Sequence, residues 1–221
     1  MKTDAHAFMA NVRAALGRDT TVPPSQPPPV VDESIVRLAS HDDDLLAMFQ
    51  QRAEEAGMVV HRLSDTNLFE TVKRVLGQFE ARCVVTAMSD GADLCRDLTR
   101  VGFEVVDGRD AGFDVQFDID AGVTDVQAAL AETGTMICTS SCTHSRGPSL
   151  VPPLHIAIVR RRDIVADMID YWQRLKGIAS TDLPASMSFI TGPSKTADIE
   201  NILVTGVHGP KDVQVMLVQD T

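Results

Sequence analysis

Between Met58 and Val106, short unbroken apolar runs alternate with longer amphipathic stretches, and this alternation limits the fold more than any other feature of the chain. "MVVHRL" reads as a strand, "NLFETVKRVLGQF" as a helix, "RCVVTAM" as a buried strand, "DGADLCRDLTRVG" as a helix and "FEVV" as a strand. Strands that are apolar at successive positions, rather than at every second one, are buried on both faces. Joined by helices, they predict an α/β fold: a mostly parallel sheet with helices on both faces.

The pattern extends in both directions. "HDDDLLAMFQQRAEEAG" predicts a helix with aspartates at the positive end of its dipole and Gly57 at its close. Leu45, Leu46, Phe49 and Ala53 fall on one face of it. Downstream, "TDVQAALAETG" (124–134) reads as a helix, and "TMICTS", "HIAIVR", "SMSFIT" and "VQVMLV" read as strands. "DIVADMIDYWQRLKG" (163–177) reads as one helix with Ile164, Val165, Met168, Ile169, Trp172 and Leu175 on a single stripe. No internal repeat is visible.

The first residues differ from the rest. "DAHAFMANVRAALG" has helical apolar spacing and ends at Gly17, and "TVPPSQPPPV" is an extended, semi-rigid linker. Residues 1–34 are therefore expected to form a helical arm with a Pro-rich linker, and residues 35–221 an α/β domain. Such an arm docks either on its own domain or on another subunit, the second making a homo-oligomer.

Charge and cysteine usage narrow the function. Acidic residues outnumber basic ones by 31 to 20, a net charge of −11, which argues against nucleic acid or an anionic membrane as the main partner. No apolar run approaches the roughly 20 residues of a membrane helix, and Asp4, Asn11 and Arg13 interrupt any signal-peptide core. The expected location is the cytoplasm. Cys83, Cys95, Cys138 and Cys142 form no Cys-x-x-Cys pair, so no iron–sulfur or zinc site of this chain's own is expected. Neither a Walker A loop nor a G-x-G-x-x-G run is present.

The chemistry-bearing residues gather in four loops. In open parallel sheets, ligands sit beyond the carboxyl ends of strands. "GPSKTADIE" follows the strand "SMSFIT", so it is expected at such an end, with Gly192, Ser194 and Thr196 cradling an anion and Lys195 as counter-charge. A structural turn fits these residues as well. Asp198 and Glu200 oppose an anion unless they pair with Lys195 or face away; with His208 they could also form a metal site, although nothing in their spacing demands a metal. His208, with Gly206 and Gly209 close by in "GVHGP", suits an acid–base group. Glu132, with Thr133 and Gly134 beside it, suits a nucleophile or base, since a negative charge at a helix end of that polarity is mildly unfavourable. Arg146, in "THSRGPSLVPPLH", suits an anion clamp. His155, at the start of "HIAIVR", reads as a core-edge histidine.

"AETGTM", "RGPSLVPPLHIAIV", "ITGPSKTADIE" and "GVHGPKDVQVMLV" resemble the lactate-utilisation (LUD) domain family, in particular its LutC/YkgG branch, over residues from about 35 to the C-terminus. The resemblance implies a fold similar to the NagB/RpiA/CoA-transferase-like group. It also implies an accessory role in oxidising L-lactate to pyruvate, beside partner proteins that carry the iron–sulfur clusters. On this reading Glu132, His208 and Asp198 are the catalytic candidates. Thr133, Gly134, Arg146, Gly192, Ser194, Lys195, Thr196 and Gly209 would bind a small carboxylate or phosphate-bearing ligand, without a metal. Two alternatives stand beside it: a free-standing isomerase, acyl transferase or ligase acting on an anionic metabolite, and a pure interaction subunit docking on iron–sulfur partners.

Overall fold

The computed structural model describes residues 4–17, 32–40, 42–89, 91–110, 118–140, 145–179, 182–197, 203–206 and 208–219. The chain divides into two units, residues 1–36 and 37–221. In the first, α1 (Ala5–Ala15) starts at Asp4, whose carboxylate accepts from the His6 N–H, and none of its residues is buried. Gly17 follows with a φ of +62°.

The second unit runs in order α2 (Leu45–Glu55), β1 (Val59–Ser64), α3 (Leu68–Gln78), β2 (Cys83–Ala87), α4 (Ala92–Arg100), β3 (Glu104–Asp107) and β4 (Ala121–Asp125). It continues with β5 (Ala128–Leu130), β6 (Thr135–Ser140), β7 (Leu154–Arg160), β8 (Ile164–Val165) and α5 (Met168–Arg174). Its last strands are β9 (Ser186–Ile190), β10 (Lys195–Ala197), β11 (Leu203–Thr205) and β12 (Asp212–Gln219). Six strands make one sheet in the order β1-β12-β7-β4-β2-β3, and every pairing in it is parallel.

The unbroken apolar strands take the middle of this sheet because only there are both faces covered. On one face Ile156, Ile158, Met216 and Val218 pack against Val72, Val75 and Leu76 of α3 and Leu98 of α4. On the other, Ala157, Val159, Val213, Val215 and Leu217 pack against Leu46, Phe49 and Ala53 of α2. The expected helices thus lie on both faces. The second face is shared with a smaller mixed sheet of order β8-β5-β6-β9, which contributes Ala129, Met136, Cys138 and Ile164 to the same core. Its far side closes on Tyr171 and Leu175.

That smaller sheet overturns three local expectations. The helix expected over 124–134 is instead the end of β4, then β5, with the turn through Gly134 after it. Ala128–Leu130 is fully buried and pairs antiparallel with β6 and parallel with β8, so sheet pairing overrides the helix preference of Ala, Leu and Glu. The helix expected over 163–177 shrinks to α5, because Ile164 and Val165 pair with β5. Its predicted stripe is only partly buried: Met168 and Trp172 stay exposed, while Asp170 and Tyr171 face inward. Finally, β9 joins the mixed sheet antiparallel to β6, so the loop after it does not lie at a carboxyl end of the parallel sheet.

Candidate functional site

The residues singled out in the sequence fall at opposite edges of the parallel sheet. At the amino edge, the chain after β9 meets the segments that lead into β1 and β12. The Ser194 N–H donates to the Pro210 carbonyl at 2.9 Å, and the Gly206 N–H donates to the Ser194 carbonyl at 2.9 Å. Lys195 Nζ donates to the Ala56 carbonyl at 3.2 Å. Ala56 caps the C-terminus of α2, the negative end of that helix dipole, so the ammonium is well placed there. Gly192 has a φ of +94°, and a Cβ there would lie 2.5 Å from the Ala56 oxygen. Only glycine fits that approach.

Glu132, Thr133 and Gly134 reach the same end of α2. A Cβ on Gly134, at φ +67°, would lie 2.4 Å from the Ala53 nitrogen. Hydroxyls link this turn to the residue after β9: Thr133 Oγ1 lies 2.7 Å from Thr135 Oγ1, and Thr135 Oγ1 lies 2.8 Å from Thr191 Oγ1. Burial, and then the nearby Asp167 carboxylate, hold the Glu132 carboxyl above the usual carboxylate range, against the pull of Arg52. Asp167 is itself held by Arg37 Nη1 at 2.9 Å, which also reaches Asp170 at 2.7 Å.

Glu132, Thr133, Gly134, Gly192, Ser194, Lys195 and Gly209 are therefore neighbours along one rim, with Gly209 packed beside Ser194. His208, the residue before Gly209, is exposed. Thr196 pairs through its backbone with Val204, and Asp198 and Glu200 lie outside the described residues.

Arg146 stands apart, at the carboxyl edge. Three adjoining cavities open there at the ends of β2, β3, β4 and β7. One of about 200 Å³ is lined by Ser89, Thr124, Asp125, Cys138, Arg146 and Ser149, among others. A second, of about 500 Å³, runs past Met88, Gly91, Cys95 and Arg109. The third, of about 190 Å³, reaches Arg160 and Arg162. Ser89 lines all three. Its N–H donates to Asp125 Oδ2 at 2.7 Å, which ties the loop after β2 to the end of β4.

Arg146 reaches this edge because the following turn lies flat on the sheet. The Gly147–Ser149 turn presses its Pro148 carbonyl onto Gly122 of β4, where a Cβ would sit 1.7 Å from that oxygen. The chain then runs on through Pro153 into β7, whose entry is bridged to β12 by the Lys211 N–H donating to the Pro153 carbonyl at 2.8 Å.

Around Arg146 stands a wall of hydroxyls from Ser89, Thr124, Thr139, Ser145 and Ser149, with the Gln127 amide. Arg160 is engaged by Asp65 at 2.6 Å and Arg109 by Asp107, whereas no bond from the Arg146 guanidinium is found among the described residues. A guanidinium above donor hydroxyls can hold a small anion.

Thr124, Asp125, Ser89 and Gln127 were missed by reading the sequence. The signal was present in "AGVTD", an apolar run ending in two polar residues, but the helix expected from Thr124 onward concealed it. Burial pushes the Cys138 thiol up to about 11, which favours its protonated, poorly nucleophilic form. Among the described residues no group of three or more His, Cys, Asp or Glu could hold a metal ion, and no helix is long and apolar enough to cross a membrane.

Residues 46–218 match the model of the LUD domain. The chain is similar to lactate utilization protein C of Halalkalibacterium halodurans, with 31% identity over 222 residues and 96% of each chain covered. It is also similar to lactate utilization protein C of an Exiguobacterium species, with 27% identity over 223 residues, covering 99% of this chain and 97% of the other. Among solved structures, a DUF162 family protein of Deinococcus radiodurans shares the fold at a TM-score of 0.62 and 23% identity, over 79% of this chain and 96% of that one. With the family model spanning most of the parallel sheet and both loop-bearing edges, the chain belongs to the LUD domain family.

Proposed function

We propose that the chain is a cytoplasmic accessory subunit of an L-lactate oxidation system. It works beside iron–sulfur proteins and binds a small carboxylate or phosphate-bearing anion at the carboxyl edge of its parallel sheet. The observation that carries this reading is Arg146, an exposed guanidinium over a cavity of about 200 Å³ walled by hydroxyls. The position agrees with the general placement of ligands beyond strand carboxyl ends. The name shared by the full-length relatives supplies the metabolic setting.

The amino-edge rim serves the scaffold instead. Lys195 is engaged with the Ala56 carbonyl, and the glycines fit the rim to α2. A second reading, a free-standing acyl transferase or isomerase, draws on one observation: the Glu132 carboxyl held above its ordinary range beside Asp167. Under that reading Glu132 and His208 are the reacting groups.

Growth on L-lactate as sole carbon source tests both. A strain deleted for this protein is complemented with wild type, Arg146→Ala, Glu132→Gln and His208→Ala at matched protein levels. Failure of Arg146→Ala alone supports the carboxyl-edge anion site. Failure of Glu132→Gln and His208→Ala, with Arg146→Ala growing normally, transfers the function to the amino-edge rim. Normal growth of the deletion strain removes the lactate role.

A further inference from the structure

Beneath the Arg146 cavity lies a polar group that the proposal above leaves unused. His155, on β7, is fully buried and stands in register with Gly122 of β4 and Val213 of β12. Its Nε2 lies 2.9 Å from Thr124 Oγ1, and its Nδ1 has no hydrogen-bond partner among the described residues. Burial lowers its pKa to about 4, so the ring is neutral and carries one N–H.

Two tautomers are available. A proton on Nδ1 would leave a donor orphaned in the core, the rarer and costlier defect. A proton on Nε2 is used, donated to Thr124 Oγ1, and only an acceptor lone pair goes unmatched. Thr124 then accepts from the imidazole, and its own O–H must point elsewhere. Thr124 lines the Arg146 cavity together with Cys138. Cys138 Sγ, at 3.9 Å, is a long and weak alternative acceptor.

We infer that His155 is a positioning residue that fixes the Thr124 hydroxyl as a hydrogen-bond donor to the ligand of the Arg146 cavity, selecting a 2-oxo acid whose carboxylate meets Arg146 and whose keto oxygen meets Thr124. This rests on the anion site proposed above. A floor held as a donor suits a keto oxygen, which only accepts, better than a 2-hydroxy group, which must also place its own proton. His155 touches no ligand and acts through Thr124.

Titration calorimetry on the full chain, with pyruvate, L-lactate and inorganic phosphate as separate probes, tests the inference. Wild type should bind pyruvate more tightly than L-lactate. Thr124→Val should weaken pyruvate binding about tenfold, and Thr124→Ser should restore it. His155→Leu should weaken it similarly, while His155→Gln, whose amide N–H can replace Nε2–H, should recover most of the loss. A purely structural histidine would show no such recovery. Wild-type pyruvate affinity in Thr124→Val, with binding lost in Arg146→Ala, overturns the positioning role and leaves the anion site standing. Equal losses in His155→Leu and His155→Gln, or tighter binding of L-lactate than of pyruvate, also overturn it. No heat from wild type with any probe removes the anion site and this inference together.

Discussion

Replacing Gly122 with alanine tests the link between the sheet and the cavity. The new Cβ would lie 1.7 Å from the Pro148 oxygen and 2.7 Å from its carbonyl carbon, where real contacts do not fall below 3.0 Å. Both obstacles are backbone, so no rotamer change relieves them. Either the Gly147–Ser149 turn lifts off β4, or β4 parts from β2 and β7. Overpacking of this kind costs about 1–3 kcal/mol or more. In a chain of this size that lowers the melting temperature by roughly 2–12 °C. Because the turn sets Arg146 at the rim and Ser149 in the cavity wall, pyruvate binding should weaken as well. Gly77→Ala is the matched control. Gly77 is exposed in α3, and a methyl group on its Cα would meet nothing within 4 Å. Alanine there should raise stability by about 0.5–1 kcal/mol. Scanning fluorimetry and titration calorimetry read both effects. If Gly122→Ala melts and binds like wild type, the turn does not rest on β4 as described, and the placement of Arg146 loses its support.

Three further outcomes are expected. Arg37→Ala leaves Asp167 and Asp170, 3% and 8% exposed, without the guanidinium that bridges them, at a cost of about 3–5 kcal/mol; a melting temperature within about 2 °C of wild type would contradict this. Acid stability should carry the signature of His155, whose folded-state pKa lies below its ordinary value of 6.5, at about 4. The unfolded chain binds a proton that the folded chain refuses, so stability is full above pH 6.5 and falls as pH drops toward 4, by about 3 kcal/mol in all. His155→Gln should flatten that part of the urea-denaturation profile. Glu132→Gln removes a carboxylate that burial and Asp167 disfavour, and should raise the melting temperature at neutral pH; a decrease would show that the charge is held by a partner.

The strands that hold the sheet together were the most legible part of the sequence. "HIAIVR" and "VQVMLV" are apolar at successive positions, and β7 and β12 occupy the centre where both faces are buried. The helices α2, α3 and α4 were equally plain, since Leu46, Phe49 and Ala53, or Val72, Val75 and Leu76, form one-sided stripes. The short strands were not. Ala128–Leu130 consists of good helix formers and becomes a strand only because β6 and β8 flank it. Nothing local in "SMSFIT" tells whether it extends the parallel sheet or joins the mixed one, yet that choice moves Lys195 from the carboxyl edge to the amino edge. Arg146 could be picked out by residue type alone. Thr124 could not, and His155 was legible only as a core-edge histidine, because their pairing depends on the parallel register of β4 with β7.

The most direct test of the anion site is the position of a bound anion. Crystals soaked in pyruvate should show density against the Arg146 guanidinium, with the keto oxygen within hydrogen-bond distance of Thr124 Oγ1. Density at the amino-edge rim, beside Glu132, Lys195 or His208, with the Arg146 cavity holding none, would contradict it.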